Sequence, residues 1–277
     1  MNTTKKYLRE LDKTMNEEEK LFFVKQINIH DYDIIVDFGG ANGHLLRILK
    51  RKYNYRGFRI LVEENNRIKT LNDCCEYRCW SVSATIRFLI PQIKRNKKCL
   101  VILSSVLHEC DSFDLMKIEE LTSICDAVVM RDMYFDESTR PITPLSYRSV
   151  YLLNKNGARL STENLICTPT VSYVRTKILT EFLLKYTYIQ NREKEEKESY
   201  LCNNIGKIAN ALAQGNYDVC YYRTYTLPYK KRMAKQDFDI DLNWGTHLQI
   251  ILKIKDPTLK TLPSRIIAMN TLQGYAQ

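Results

Sequence analysis

Asp37, Gly39, Gly40 and Gly43 close the run Ile34-Ile35-Val36-Asp37-Phe38-Gly39-Gly40-Ala41-Asn42-Gly43, and a second apolar run, Phe58 to Val62, ends in Glu63. The first run is too short for a helix. It ends in an acid and a glycine turn, then gives way to Leu45-Leu46-x-x-Leu49 at helical spacing, so it reads as strand, turn and helix. Glycines in such a turn let the backbone come close to a ligand. A carboxylate at the tip of the next strand stands where it can accept hydrogen bonds from ribose hydroxyls. The two acids and the turn therefore predict a ligand containing a nucleoside.

The glycine order Asp37-x-Gly39-Gly40-x-x-Gly43 is not G-x-G-x-x-G, yet the glycines alone leave a dinucleotide open. A P-loop is excluded, because no Gly-Lys-Ser/Thr comes after the turn. The turn carries no Lys or Arg before Arg47 to meet a phosphate-rich ligand, whereas an acid ending the first strand suits a ligand with a positive charge. In this combination the segment resembles the first motif of class I S-adenosylmethionine-dependent methyltransferases. Asp37, Gly39 and Gly43 match its acid and glycines, and Glu63 matches the acid that holds the adenosine ribose. The resemblance continues more loosely through the first half of the chain. Leu100 to Glu109, with Ser104-Ser105-Val106-Leu107-His108-Glu109, is similar to the fourth strand and the loop facing the transferred methyl. Ala127 to Asp132 is similar to the fifth strand, and Thr246 to Ile254 to the last antiparallel one. The third motif departs: Trp80-Ser81-Val82-Ser83-Ala84-Thr85 has no acid where the family offers one to the adenine amino group. A serine hydroxyl or a backbone carbonyl then takes that part. The resemblance implies S-adenosyl-L-methionine as cofactor, held by Asp37, Gly39, Gly40, Gly43, Glu63, Ser83, Ala84, Ser104 and Ser105.

Methyl transfer from a sulfonium is an in-line displacement, so the protein must align an acceptor and, where needed, remove its proton. His108 and Glu109, just past the fourth strand, are the catalytic candidates: an imidazole beside a carboxylate makes a base and its orienter. The alternative is a histidine that caps the next helix or packs under the insertion, with Glu109 clamping Arg131 or binding an amine. Arg131, at the tip of the fifth strand, either anchors substrate or pairs internally with Asp132. Tyr134 is a candidate wall of the acceptor pocket, and His247 reads as structural. Asp/Asn-Pro-Pro-Tyr/Phe of amino-group DNA methyltransferases, the Pro-Cys pair of cytosine-C5 enzymes and the Lys-Asp-Lys-Glu tetrad of ribose 2′-O-methyltransferases have no match here. The acceptor stays open between a nucleic acid or nucleotide and a small molecule, the latter fitting O-methylation with His108 taking a hydroxyl proton. Competing readings are a catalytically silent binding module on the same scaffold and an NAD-dependent oxidoreductase.

These residues need a frame. Residues 1–30 read as a leading helical extension that packs on the sheet or covers the cofactor. From 31 to 132, short apolar strands alternate with helical patterns, which predicts a parallel sheet with crossovers. Strands are expected at Ile34–Phe38, Phe58–Val62, Cys79–Val82, Leu100–Ser104 and Ala127–Arg131, with helices at Leu45–Lys52, Arg67–Leu71, Ile86–Ile93 and Asp114–Ile124. Residues 133–215 show no clear strand and read as a helical insertion shaping the acceptor site. Its helices are a stretch beginning at Thr143-Pro144-Leu145, an amphipathic one over Ser172 to Tyr188, and another at Leu201 to Ala213. Within it, Asn191 to Glu198 reads as a solvated helix face laced with charges three and four apart. Residues 216–277 supply Val219–Thr226 and His247–Ile254 to complete the sheet. The fold class is thus α/β, a Rossmann-like, mostly parallel seven-stranded sheet with helices on both faces.

Composition sets outer bounds. The 277 residues suffice for one large α/β domain with an insertion. No apolar run reaches the length of a membrane span, and the polar N-terminus lacks a signal-peptide core. Of nine cysteines, Cys99, Cys125, Cys167 and Cys220 lie in or beside apolar runs, and the cluster Cys74-Cys75-Glu76-Tyr77-Arg78-Cys79 lacks Cys-x-x-Cys spacing; with only four histidines in the chain, neither a zinc site nor a disulfide framework is expected. That points to a reducing, cytoplasmic setting. The net charge of +10 favours a polyanionic partner, although it is spread along the chain. Lys94-Arg95-Asn96-Lys97-Lys98 reads as solvated surface. The tyrosines and cations of Tyr221 to Arg232 either stack bases and hold phosphates or form a strand with one wet face.

Overall fold

The computed structural model describes residues 17–158, 164–169, 171–186 and 198–259. One sheet takes seven strands: β1 (Ile34–Phe38), β2 (Phe58–Val62), β3 (Tyr77–Cys79), β4 (Cys99–Ser104), β5 (Ala127–Met133), β9 (Tyr217–Tyr225) and β10 (His247–Ile254). They lie side by side in the order β3-β2-β1-β4-β5-β10-β9. β1 to β5 pair in parallel and β10 runs antiparallel to both β5 and β9. The chain reverses between β1 and β4, which leaves a crevice at the C-terminal ends of these neighbours, where open α/β sheets bind ligands.

Alternation along the strands builds two cores. Val36, Ile60, Val101, Leu103, Val128 and Ile250 face α2 (Val82–Ile93), α3 (Ser112–Ser123) and α6 (Asn204–Gln214). Ile35, Leu100, Ile102, Val129 and Ile251 face α1 (His44–Lys52), through Leu45, Leu46 and Leu49, and the buried Phe22 and Phe23. The second layer explains the leading segment. It is a one-turn helix (Glu17–Lys20) and a 3₁₀ turn (Phe22–Lys25) pinned to the sheet by Gln249, whose amide donates to the Glu19 carbonyl at 2.8 Å. Residues 1–16 of the expected leading helix lie outside the described residues.

The insertion differs from the reading of its sequence. Where no strand was expected, β6 (Ile142–Leu145), β7 (Leu165–Cys167) and β8 (Ser172–Arg175) form an antiparallel sheet in the order β6-β8-β7. Thr143 and Leu145 point inward and Ile142 and Pro144 outward, a period of two too short to stand out in the sequence. The expected helix over Ser172 to Tyr188 is therefore β8 and then α5 (Thr176–Tyr186), and the one expected from Thr143 begins only at α4 (Tyr147–Lys155), capped by the Ser146 hydroxyl. Leu145, Leu153, Val174, Leu179 and Leu183 form a third core with Phe238 of α7 (Pro228–Phe238). Arg67–Leu71 is turn and irregular backbone, not helix, and β3 ends at Cys79 because Ser81 caps α2, its hydroxyl accepting from the Ala84 amide at 3.2 Å. The charged face expected at Asn191 to Glu198 lies, but for Glu198, outside the described residues. Among the described residues no helix is long and apolar enough to cross a membrane.

Candidate active site

The β1–α1 turn is built for close approach. Gly39 and Gly43 have φ of +66° and +79°, a conformation side chains disfavour. A Cβ on Gly39 would stand 2.5 Å from Val106 Cγ2, and one on Gly43 2.5 Å from Cys74 Sγ. At Gly40 a Cβ would meet Asp37 Oδ2 at 2.4 Å and Leu61 Cδ1 at 2.6 Å. Gly40→Val should therefore cost about 1–3 kcal/mol of stability through overpacking, read as a lower urea midpoint with an unchanged m value.

Glu63 closes over this turn. Its carboxylate accepts from the Ala41 amide at 3.0 Å and the Asn65 amide at 2.9 Å, which fixes an anion across from Asp37. The two acids, Gly39 and Gly40 of the turn, and Ser104 and Ser105 line one cavity of about 400 Å³ together with Lys20, Asn42, Ile68, Val106, Glu109 and Cys110, whereas Gly43, at the head of α1, does not line it. A larger cavity of about 520 Å³ opens at the opposite end of β1 and β2, beside Tyr32, Asp33 and Phe58, but it has neither the glycine turn nor the paired acids.

Two buried side-chain atoms of residues that line the first cavity, Asp37 Oδ2 and Ser104 Oγ, have no hydrogen-bond partner among the described residues. Asp37 is 2% exposed. Burial pushes its pKa up to about 7, Lys20 pulling it down and Glu63 adding to the rise. An orphaned carboxylate costs free energy until a cationic group or donor meets it. Lys20, which lines the same cavity, offsets part of that cost.

The far wall is the turn after β4. Ser105 adopts φ of +59°, and its hydroxyl accepts from Arg131 Nη1. Arg131 Nε donates to the Tyr225 hydroxyl at 2.9 Å. Arg131 is thus buried behind the cavity, bracing Ser105 from the sheet side. It neither lines the cavity, as an anchor for substrate must, nor is clamped by Glu109. Past Ser105, a 3₁₀ turn (Leu107–Glu109) carries the histidine and acid. Asp132 organises that turn: its Oδ2 accepts from the Leu107 amide at 2.6 Å and the His108 amide at 3.2 Å, its Oδ1 from the Met133 amide at 2.7 Å, and Oδ1 meets His108 Nδ1 at 2.7 Å. Asn204 of α6 holds the other side, donating to the carbonyls of Leu107 at 2.8 Å and Cys110 at 3.0 Å.

His108 does not itself line the cavity. Its Nε2 lies 3.7 Å from Oε1 of Glu109, which does, and its ring meets Tyr200 edge-on at 5.1 Å. Burial lowers the His108 pKa, but Asp132, Glu109 and Glu198 outweigh it and leave the imidazole more basic than usual. Burial raises the Asp132 pKa, and His108 and the backbone donors bring it below the ordinary carboxylate range. The orienter of His108 is therefore Asp132, which the sequence offered only as a partner for Arg131. Register alone held that clue, since Ser104 pairs with Arg131 and Asp132 thus falls beside the turn.

Other expectations fall outside the cavity. Ser83 is exposed in the first turn of α2 and Ala84 is spent on the Ser81 cap, so neither lines it; the rim beyond Glu63 is instead Glu64, Asn65 and Ile68. Tyr134 packs against the sheet core, its phenol pushed up to about 12 chiefly by burial, and is no cavity wall. His247 is buried, with Nδ1 2.9 Å from the Thr246 hydroxyl, and burial together with Arg131, Lys230 and His108 holds it neutral.

Neither a protein-family model nor a curated protein matches the chain. Solved structures match by shape. The chain is similar to the plantazolicin methyltransferase BamL, solved in complex with a triazolic desmethylPZN analog and SAH, at a TM-score of 0.51 and 7% identity over 91% of each chain. The two share a Rossmann-like α/β fold. A SAM dependent methyltransferase from Archaeoglobus fulgidus is similar at a TM-score of 0.47 and 14% identity, over 86% of this chain and 93% of that one.

Proposed function

We propose that the protein is an S-adenosylmethionine-dependent methyltransferase acting on an oxygen or nitrogen acceptor. One observation carries the reading: a buried Asp37 carboxylate, whose Oδ2 has no hydrogen-bond partner among the described residues, stands against the glycine turn, with a second acid, Glu63, fixed on the other side of it. That donor set suits an adenosyl sulfonium better than a dinucleotide, whose pyrophosphate would face two carboxylates. Glu63 keeps lone pairs for ribose hydroxyls, the glycine backbone passes against the ligand, and Asp37 balances positive charge. When bound, S-adenosylmethionine supplies an electrophilic methyl group. The chain's own part is to align an acceptor against the Ser104–Cys110 wall, where Glu109 and the Asp132-held His108 are the polar pair that activates the heteroatom.

Both acceptor classes suit this wall: the charge of +10 favours RNA or a nucleotide, the missing nucleic-acid motifs a small molecule. Nine free thiols support a reducing, cytoplasmic setting. The test is incubation of the protein with methyl-labelled S-adenosylmethionine and fractionated cell extract. Label should enter one class of molecule, and Gly39→Arg, which fills the turn, should abolish transfer. Saturable binding of NAD in place of S-adenosylmethionine would reject the reading.

A further inference from the structure

His108 is held in an arrangement typical of a ligating imidazole. Its Nδ1 is fixed at 2.7 Å to the buried Asp132 carboxylate, which leaves Nε2 as the outward-facing nitrogen. Its side chain is 6% exposed, and Nε2 has no hydrogen-bond partner within the described residues, the nearest carboxylate oxygen standing at 3.7 Å. A third group converges on the same point from the insertion: ligand atoms of His108, Glu109 and Glu198 all lie within 4.8 Å of one another. Two carboxylates and a carboxylate-braced imidazole make a mixed nitrogen–oxygen donor set, and a carboxylate behind a histidine is the usual outer partner of a metal ligand. Metal bonds of about 2.1 Å place neighbouring donors about 3 Å apart. Glu109, 44% exposed, can close the present gap by a change of rotamer.

We propose that His108 Nε2, Glu109 and Glu198 bind a divalent cation of the Mn²⁺ or Mg²⁺ class at the acceptor end of the cofactor cavity. The oxygen-rich set selects such ions over the thiolate-seeking ones, in keeping with the absence of cysteine from the cluster. Glu109 belongs both to this cluster and to the cavity wall, so the cation sits where an acceptor's lone pair arrives. Its use in the reaction rests on the methyltransferase reading; the site itself does not. A cation there would select acceptors with an oxygen or nitrogen able to join its coordination sphere, such as a diol, a hydroxy acid or a ribose terminus.

The test is titration of the full chain with MnCl₂, monitoring the loss of the free-ion electron paramagnetic resonance signal. One saturable equivalent is expected, weakened by about tenfold or more in Glu198→Gln and in Glu109→Gln. Both replacements are isosteric at partly exposed positions, and thermal melts without metal verify that each variant is folded. No saturable uptake, or uptake unchanged in both variants, overturns the proposal. Parallel dialysis against S-adenosylmethionine in EDTA separates the two readings: cofactor binding without Mn²⁺ uptake removes the cation site alone, and Mn²⁺ uptake without cofactor binding removes the methyltransferase reading and leaves the site.

Discussion

Replacing Asp37 with asparagine will weaken S-adenosylmethionine binding by about 30-fold or more and, at pH 8, raise the thermal midpoint of the ligand-free protein. Both effects come from one buried carboxylate. Removing one member of a buried charge pair costs about 2–5 kcal/mol of binding, which sets the loss of affinity. The stability effect has the opposite sign. The Asp37 pKa in the folded protein is raised from 3.8 to about 7, chiefly by burial, so between those values the folded state binds more protons than the unfolded one. Its contribution is fully present below about pH 4 and is lost as pH rises through 7, a difference of the order of 4 kcal/mol across the window. The ligand-free protein should thus melt higher near pH 5.5 than near pH 8, and Asp37→Asn should flatten that dependence. Added S-adenosylmethionine should recover stability at pH 8 in the wild type at concentrations about 30-fold lower than the variant needs. Melting curves that run parallel for the two proteins from pH 5.5 to 8.5 would show that Asp37 is not the titrating group.

His108→Ala will leave the cofactor affinity within about twofold of wild type and reduce turnover by roughly 10²-fold or more, the scale of a lost acid–base or activating group. The separation comes from position: His108 stands behind Glu109 at the acceptor end, away from the turn that carries Asp37 and Glu63. Asp132 is a positioning residue in this scheme, because it touches only the imidazole and the backbone of its own turn and strand. Single-turnover rates at saturating cofactor, measured once the acceptor is in hand, check the claim. A His108→Ala protein with wild-type turnover would remove the imidazole from the reaction.

The glycine-turn half of the candidate site was legible in the sequence because its signals are local. Acid, glycines and the next helix lie within one contiguous segment, and a strand-end acid is recognisable from the apolar run before it. The acceptor half was less so. Asp132 and His108 meet because β4 and β5 are neighbours, which no spacing along the chain announces. Ser105, Arg131 and Tyr225 form a brace across three strands, and in the sequence Arg131 looked equally suited to touching substrate. Ser83 and Ala84 were placed by the family's third motif, yet here the strand stops at Cys79 and the Ser81 cap turns the next residues into helix. The small sheet in the insertion was hidden for another reason: strands of three or four residues, one containing Pro144, give too few alternations to separate them from helix. Tyr221 to Arg232, ambiguous as a stacking surface, divides between the edge strand β9 and α7.

A crystal structure of the protein with S-adenosylhomocysteine tests the central claim most directly. The ribose should lie on Glu63, with the glycine turn against the ligand and its amino-acid portion on the Asp37 side of the same cavity. Ligand bound instead in the cavity beside Tyr32, Asp33 and Phe58, or a turn that stays closed to saturating ligand, would contradict the account.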